Sequence, residues 1–346
     1  MNTFLLSISS VFYKYVYIFV VTIFFSGCNL HSNEVVLING MTMGTTFSIQ
    51  LINDKSNFNK KKLEEKINDI LVDVNNKMST WDSDSEISKI NKMSTGQWIY
   101  VSPDTLFILA LAKSVSKKTN GAFDVTTGNL IKLWGFETNE DKNYIPDEQS
   151  IKQTTLDVGY NKLLIDDKKS AVYKKSPFKI NLSAIAKGYA VDKISEYLNK
   201  NKYSIYLVEV GGEIRVKGKK GDAKKWKIAI ETPSSQVREV HNIINITDHA
   251  IATSGDYRNY FEIEGKRYSH IIDPIIGKPI THNLASVTVI SDTVAIADAV
   301  ATALMVMGAE KGYKYCENNS ISAYFIYKQG GKFKVYVTSQ FKKYIQ

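Results

Sequence analysis

The sequence predicts an α+β fold with largely antiparallel sheets and packed helices. Two observations carry this: short runs that alternate apolar and polar residues come in clusters, and the few longer runs with helical periodicity stand between those clusters, without the strand-by-strand alternation of a parallel α/β protein. With 44% hydrophobic residues among 346, the chain has ample material for a core. Thr45 to Ile52 alternates as a half-buried strand. Asn59 to Met78 carries Leu63, Ile67, Ile70, Leu71 and Val74 at helical spacing. Ser102-Pro103 opens a second helix through Thr119, with Pro in the first turn and Asn120-Gly121 just past its end. Ile185 to Lys200 is a third. Tyr203–Val210, Arg215–Lys217, Trp226–Glu231, Tyr260–Ile263 and Ala285–Ser291 read as strands separated by Gly, Pro, Asn or Asp. Val294–Met307 is the fourth helix, closed by Gly308. Glu137 to Gln149 reads as a mobile insertion, and no repeat or low-complexity linker is evident.

The N-terminus predicts export. Lys14 precedes an apolar run, Tyr15 to Phe25, broken only by Thr22 and followed by Ser26-Gly27-Cys28. That is a secretory signal, too short for a spanning helix. Phe25-Ser26-Gly27-Cys28 resembles a bacterial lipobox, with Phe25 where Leu is usual, so Cys28 is expected to be lipidated and to become the mature N-terminus. An uncleaved anchor over Asn2 to Phe25 is the alternative, and Lys14 in its middle argues against it. The expected organisation is a signal over 1–27, a tether over 28–38 and one main domain over 39–340. Cys316 is the only other cysteine, so after lipidation no intramolecular disulfide can form. The formal charge of +9 comes mostly from Lys-rich surface segments such as Lys60-Lys61-Lys62 and Lys217 to Lys225. No aromatic-interleaved basic motif points to nucleic acid, although a positive surface can help an anionic ligand approach.

The chemistry-bearing stretch is Ala297 to Leu304, which places Asp298 and Thr302 four residues apart in a small, apolar run. At helical spacing their oxygens share a face. A carboxylate in such a setting either caps a helix starting near Ala299 or meets a hard cation such as Mg2+. Gly121 to Gly128 is a turn carrying Asp124 and two hydroxyls. Val210-Gly211-Gly212-Glu213 reads as a hairpin that also lets backbone approach a ligand. His270, flanked by apolar residues, titrates near neutral pH and is either a buried structural residue or a proton acceptor.

Taken together, these segments resemble the ApbE family of FAD:protein FMN transferases, in order and over almost the whole mature chain. The matching stretches are Met43-Gly44-Thr45-Thr46, Ser79-Thr80-Trp81 with Ser85-Glu86-Ile87, Gly121 to Thr126, Leu133-Trp134-Gly135-Phe136, Asn181 to Asp192, Gly211-Gly212-Glu213, Ala252 to Tyr257, His270 to Pro274, and Ala297 to Ala303. The resemblance implies a T-fold-like, two-lobed single catalytic unit that transfers FMN from FAD to a Ser or Thr hydroxyl of a target protein with Mg2+, Mn2+ being a possible substitute, and releases AMP. It puts flavin binding at Met43, Trp81, Ala122, Phe123, Asp124, Asn181, Lys187 and Ile272, and metal binding at the Ala184 carbonyl, Asp298 and Thr302. Trp81 and Phe123 are expected to offer stacking faces, and Lys187 to hold a phosphate. Asn181 departs from the family, where Asp is usual; the amide keeps one acceptor and gains two donors but loses the charge. His270 is the preferred base for the acceptor hydroxyl, with Asp273 next. The expected partner is an exported acceptor protein or domain of a membrane redox complex, at the cell envelope. Hydrolysis of FAD to FMN and AMP, or flavin binding without catalysis, are the alternatives; the intact Asp298 and Thr302 pair speaks against the second.

Overall fold

The computed structural model describes residues 34–137, 144–234, 239–257, 260–264 and 266–345. Its centre is an eight-stranded antiparallel sheet whose spatial order repeats the order of the chain. The strands are β1 (Glu34–Thr42), β2 (Thr45–Asn53), β3 (Tyr206–Val210), β4 (Glu213–Lys217), β5 (Ala250–Gly255), β6 (Leu284–Ser291), β7 (Ser322–Gln329) and β8 (Lys332–Val337). Two-residue turns with positive φ close three of its hairpins: Met43-Gly44, Gly211-Gly212 and Gly330-Gly331. That geometry matches the right-handed twist of the flanking strands.

One face of the sheet is covered by helices, because alternate residues such as Val36, Ile38, Ile49, Leu51 and Val208 turn inward. Described helices are α1 (Lys60–Met78), α2 (Glu86–Lys92), α3 (Pro103–Lys118), α4 (Gly128–Leu133), α5 (Glu148–Thr155), α6 (Ala186–Lys200), α7 (Val294–Met307) and α8 (Ala309–Asn318). The Asn59 side chain caps α1 by accepting from Lys62 N. Leu63, Ile67, Leu71, Val74 and Met78 then bury one stripe, each contributing about 1.5–3 kcal/mol relative to exposure. The other face carries the hairpin Trp226–Glu231/Val240–Ile246 and the C-terminal Phe341 and Tyr344, packed on Val216, Ile251, Ile290, Tyr324 and Ile326.

Helices α6 and α7 meet at backbone distance. A Cβ on Gly188 would lie 2.6 Å from the Val294 carbonyl oxygen, so only glycine fits there. Asp192 of α6 accepts from Val294 N and Ala295 N at 2.9 Å each, satisfying two of the free N–H groups that open α7. The chain between β5 and β6 forms two short hairpins. They pack through Tyr268 and Ile272 on Leu130, Trp134 and Ile151 of the α4–α5 region, and Trp134 Nε1 donates to Gly277 O at 2.9 Å.

Several expectations change here. β1 pairs with β2 from Glu34 onward, so the folded unit begins before 39, and it continues past 340 to Ile345, which bridges Ile244. The signal and Cys28 lie outside the described residues. Asp298 does not cap a helix: α7 begins at Val294, with Thr293 as its N-cap. Of the expected insertion at 137–149, residues 138–143 lie outside the described residues. Its last part is ordered into a helix start, where Asp147 caps α5 by accepting from Ser150 N. α8 follows α7 immediately; Gly308, at φ 79, ends one helix and begins the next.

Candidate active site

The site is built where α6 and α7 cross over β4 and β5. Helix α7 is buried on almost every side, so a carboxylate within it is costly unless compensated. Asp298 lies one turn before Thr302, and both line a cavity of about 240 Å3. Asp298 Oδ2 accepts the Gly188 backbone N–H at 3.3 Å. Thr302 Oγ1 lies 3.1 Å from Ser254 Oγ of β5. Lys187, next to Gly188 on α6, donates to Glu213 Oε1 at 2.5 Å.

The charge balance inside this cavity is uneven. Burial pushes the carboxyls of Glu213 and Asp298 above the usual carboxylate range. For Lys187 the downward pull of burial is outweighed by those same two carboxylates, so its ammonium is held. Two buried acids therefore share one cation. Glu213, at 2% exposure, leaves Oε2 without a hydrogen-bond partner among the described residues.

The opposite wall is the loop between α3 and α4, with Ala122, Phe123 and Asp124, and the segment from Asn181 to Ala184. Asp124 is fully engaged: Oδ1 accepts from Thr126 N at 2.8 Å and from its hydroxyl at 2.7 Å, and Oδ2 accepts from Tyr160 N at 2.6 Å. It holds the loop in shape, although burial raises its pKa. Asn181 ties three strings together. Its backbone N–H donates to Val125 O, its Oδ1 accepts from Ser183 N, and its Nδ2 donates to Glu137 Oε1 at 2.8 Å. An amide, and not a carboxylate, suits a position facing Glu137.

A second, larger cavity of about 790 Å3 adjoins the first and shares Ser183 and Lys187 with it. Its walls include Met43, at the left-handed tip of the β1–β2 hairpin, and Trp81, which is 63% exposed.

Thus Ala122, Phe123, Asp124, Asn181, Ala184, Lys187, His270, Ile272, Asp298 and Thr302 gather around the small cavity, and Met43 and Trp81 around the large one. Two expectations are corrected. Phe123 lines the cavity but is only 2% exposed, so little of its ring is open to a stacking partner. Asp273 does not line the cavity; its Oδ1 accepts from Ile275 N and its carbonyl from Gly277 N, which closes the turn after Ile272. His270 does line it, half-buried, with its ring edge-on to Phe136 at 6.4 Å. Glu213 and Ser254 line the cavity and Glu137 backs Asn181; the sequence reading named none of the three as site residues. Glu213 heads a strand in phase with Arg215 and Lys217 and out of phase with the apolar Ile214 and Val216, so no alternation in the sequence marks it for burial.

The family model described as the ApbE family matches residues 43–325. A protein of Vibrio cholerae serotype O1 named FAD:protein FMN transferase is 41% identical over 321 residues, 92% of this chain and 95% of its own. One of the same name from Haemophilus influenzae is 40% identical over 90% of this chain and 91% of its own. The solved flavin transferase ApbE from Vibrio cholerae superposes with a TM-score of 0.83 at 40% identity, covering 90% of this chain and all of that one. Flavinyl transferase ApbE of Pseudomonas stutzeri, in its apo form, gives 0.84 at 34% identity over 92% and 99%. Matched in sequence and in fold along nearly its whole described length, the chain belongs to the ApbE family.

Proposed function

We propose that this protein moves the FMN half of FAD onto a Ser or Thr hydroxyl of a partner protein and releases AMP. The observation that carries the reading is the pair of joined cavities with Lys187 at their junction, one roomy and bordered by Trp81, the other small and over-supplied with carboxylate. The larger volume lies within the usual range for ligands of this size, roughly 300–1,000 Å3.

The small cavity fits a hard divalent cation. Asp298, Thr302 and the Ala184 carbonyl offer oxygen donors, the lining holds three carboxyl groups (Asp124, Glu213 and Asp298) to one lysine, and Glu213 Oε2 has no hydrogen-bond partner among the described residues. Mg2+, with Mn2+ as the alternative, would be held by Asp298, Thr302 and the Ala184 carbonyl; when bound it neutralises charge on the pyrophosphate and on departing AMP. The chain's own residues do the remaining work. Trp81 presents an exposed ring for a flavin or adenine face. Lys187 offers a point charge to phosphate where the chambers join. Asp124 and Asn181 fix the backbone that forms the far wall. His270 accepts the proton of the incoming hydroxyl as its oxygen bonds to the FMN phosphorus; the bond from that phosphorus to the bridging oxygen breaks, and AMP leaves with that oxygen.

We further propose that the protein works at the bacterial cell envelope, lipidated at Cys28, with an exported domain of a membrane redox complex as acceptor. Among the described residues, which exclude the signal, no helix is long and apolar enough to cross a membrane; Cys28→Ala should abolish incorporation of labelled fatty acid into the chain. The test of the activity combines the mature chain, FAD, Mg2+ and such an acceptor. Flavin bound covalently to the acceptor is expected. Free FMN and AMP alone would mean a hydrolase, and unchanged FAD a binder.

A further inference from the structure

The two edges of the central sheet are defended differently. β8 carries Lys332 and Lys334, both exposed, which is a common way to discourage a stray strand from pairing there. β1 is Glu-Val-Val-Leu-Ile-Asn-Gly-Met-Thr, without Lys or Pro in a chain holding 44 Lys and Arg. Its nine pairs with β2 run without a bulge. Because a two-residue turn makes Thr42 and Thr45 the hydrogen-bonded closing pair, the alternate residues Met41, Asn39, Leu37 and Val35 direct N–H and C=O to the outer edge. No backbone partner meets them among the described residues. Val35, Leu37 and Met41 are each more than half exposed. Among the described residues, the second face of the sheet packs with the Trp226–Ile246 hairpin and the C-terminus from β3 to β8, and no β1 residue joins that cluster.

This edge leads into the site. Met41 and Thr42 at the end of β1, with Met43 and Gly44 in the turn, line the larger cavity, and exposed Val72 and Trp81 border the same opening. Resting on the transferase reading above, we propose that β1 is the docking edge for the acceptor: an extended segment of the acceptor protein adds to the sheet as a ninth strand and is led to the cavity, where its Ser or Thr is modified. Backbone hydrogen bonds supply affinity in such strand addition, and alternate side chains supply selectivity. The preferred segment has apolar residues at alternate positions, to lie beside Val35 and Leu37, and few charges. The occupant is the acceptor and not a second copy because the reaction requires a protein hydroxyl inside the cavity to which this edge leads.

The test uses a soluble acceptor domain that the wild-type chain flavinylates, and a short synthetic peptide spanning its modified residue. Asn39→Pro removes an outward N–H while leaving the bonds of its neighbours to β2 in place. Leu37→Lys adds the guard that β8 already has. In both, KM for the acceptor should rise roughly tenfold or more, while kcat at saturating acceptor, the Kd for FAD and the thermal midpoint stay within about twofold or a few degrees of wild type. Val335→Pro on β8 should leave KM unchanged, and the peptide should protect β1 amides from hydrogen exchange. Unchanged KM in both folded β1 variants overturns the proposal, as does a wild-type dimer that the variants dissociate without altering KM. A wild-type chain that releases FMN and AMP but never labels an acceptor overturns the transferase reading itself, and the docking edge with it.

Discussion

Gly188 of α6 donates its backbone N–H to the buried carboxylate of Asp298 on α7, 3.3 Å away, at a crossing so close that no side chain fits between the helices. The two helices hold every charged group on the floor of the small cavity except Glu213, so their separation sets the distances among them. Gly188→Ala should therefore force α6 from the first turn of α7. An overpacked crossing of this kind costs about 1–3 kcal/mol, visible in urea unfolding, and transfer activity should fall further than stability does. Wild-type activity in that variant would mean the crossing does not position Asp298.

Lys187 has a structural role and a ligand-facing one, and these can be separated. Lys187→Met leaves Glu213 and Asp298 buried without a counter-charge, and removal of one partner of a buried pair costs about 3–5 kcal/mol. Adding Glu213→Gln should recover most of that stability but not the affinity for FAD, read by fluorescence titration. Recovery of both would assign Lys187 to the scaffold alone.

Asn181 has its side-chain partner in Glu137. Burial raises the Glu137 carboxyl above its ordinary 4.5, against the opposing hydrogen bond from Asn181. The folded state thus holds this proton more tightly than the unfolded chain. Its contribution to stability is greatest below about 4.5 and is lost as pH rises through the folded value. Asn181→Asp would set a second carboxylate against the first, with loss of a donor worth about 1–3 kcal/mol. The loss should grow with rising pH, shrink in acid, and be relieved by Glu137→Gln. Thermal melts across the acid range give the answer; a pH-independent effect would show that the two side chains are not coupled.

His270→Asn keeps a polar side chain on the cavity wall but removes the base. Transfer should fall roughly 10²- to 10⁴-fold with FAD affinity near wild type. The wild-type rate should rise with pH through the histidine range, and that limb should be missing from the residual activity of the variant. If the limb persists while FAD binding is lost, the histidine is structural.

Much of this site was legible in the chain because its key contacts are local. Asp298 and Thr302 lie a turn apart on a helix whose start and Gly308 stop can be read directly, and Met43-Gly44 marks its own turn. What was not legible depends on pairing across distance. Lys187 meets Glu213 across 26 positions and Asn181 meets Glu137 across 44; neither partner carries a local signal of the other. Phe123 and Asp273 show the converse. An aromatic ring and an acid beside a site look functional in sequence, yet packing buries one and turn closure occupies the other. The first half of the N-terminal strand, residues 34–38, fell within the expected tether; Val35 and Leu37 on its exposed face are as apolar as Val36 and Ile38 on its buried one, which hides the alternation.

The central claim is that the carboxylate-rich cavity at Asp298 moves FMN to a protein hydroxyl with the aid of a divalent cation. Intact-mass measurement of an acceptor domain after incubation with FAD and Mg2+ tests it most directly, comparing wild type, wild type in excess EDTA, and Asp298→Ala. The account predicts that wild type adds one FMN, with loss of water, to the acceptor. It predicts no addition in EDTA, and a rate lower by about a hundredfold or more for Asp298→Ala, in line with loss of a key electrostatic group. Full labelling by Asp298→Ala, or by wild type in EDTA, would contradict it.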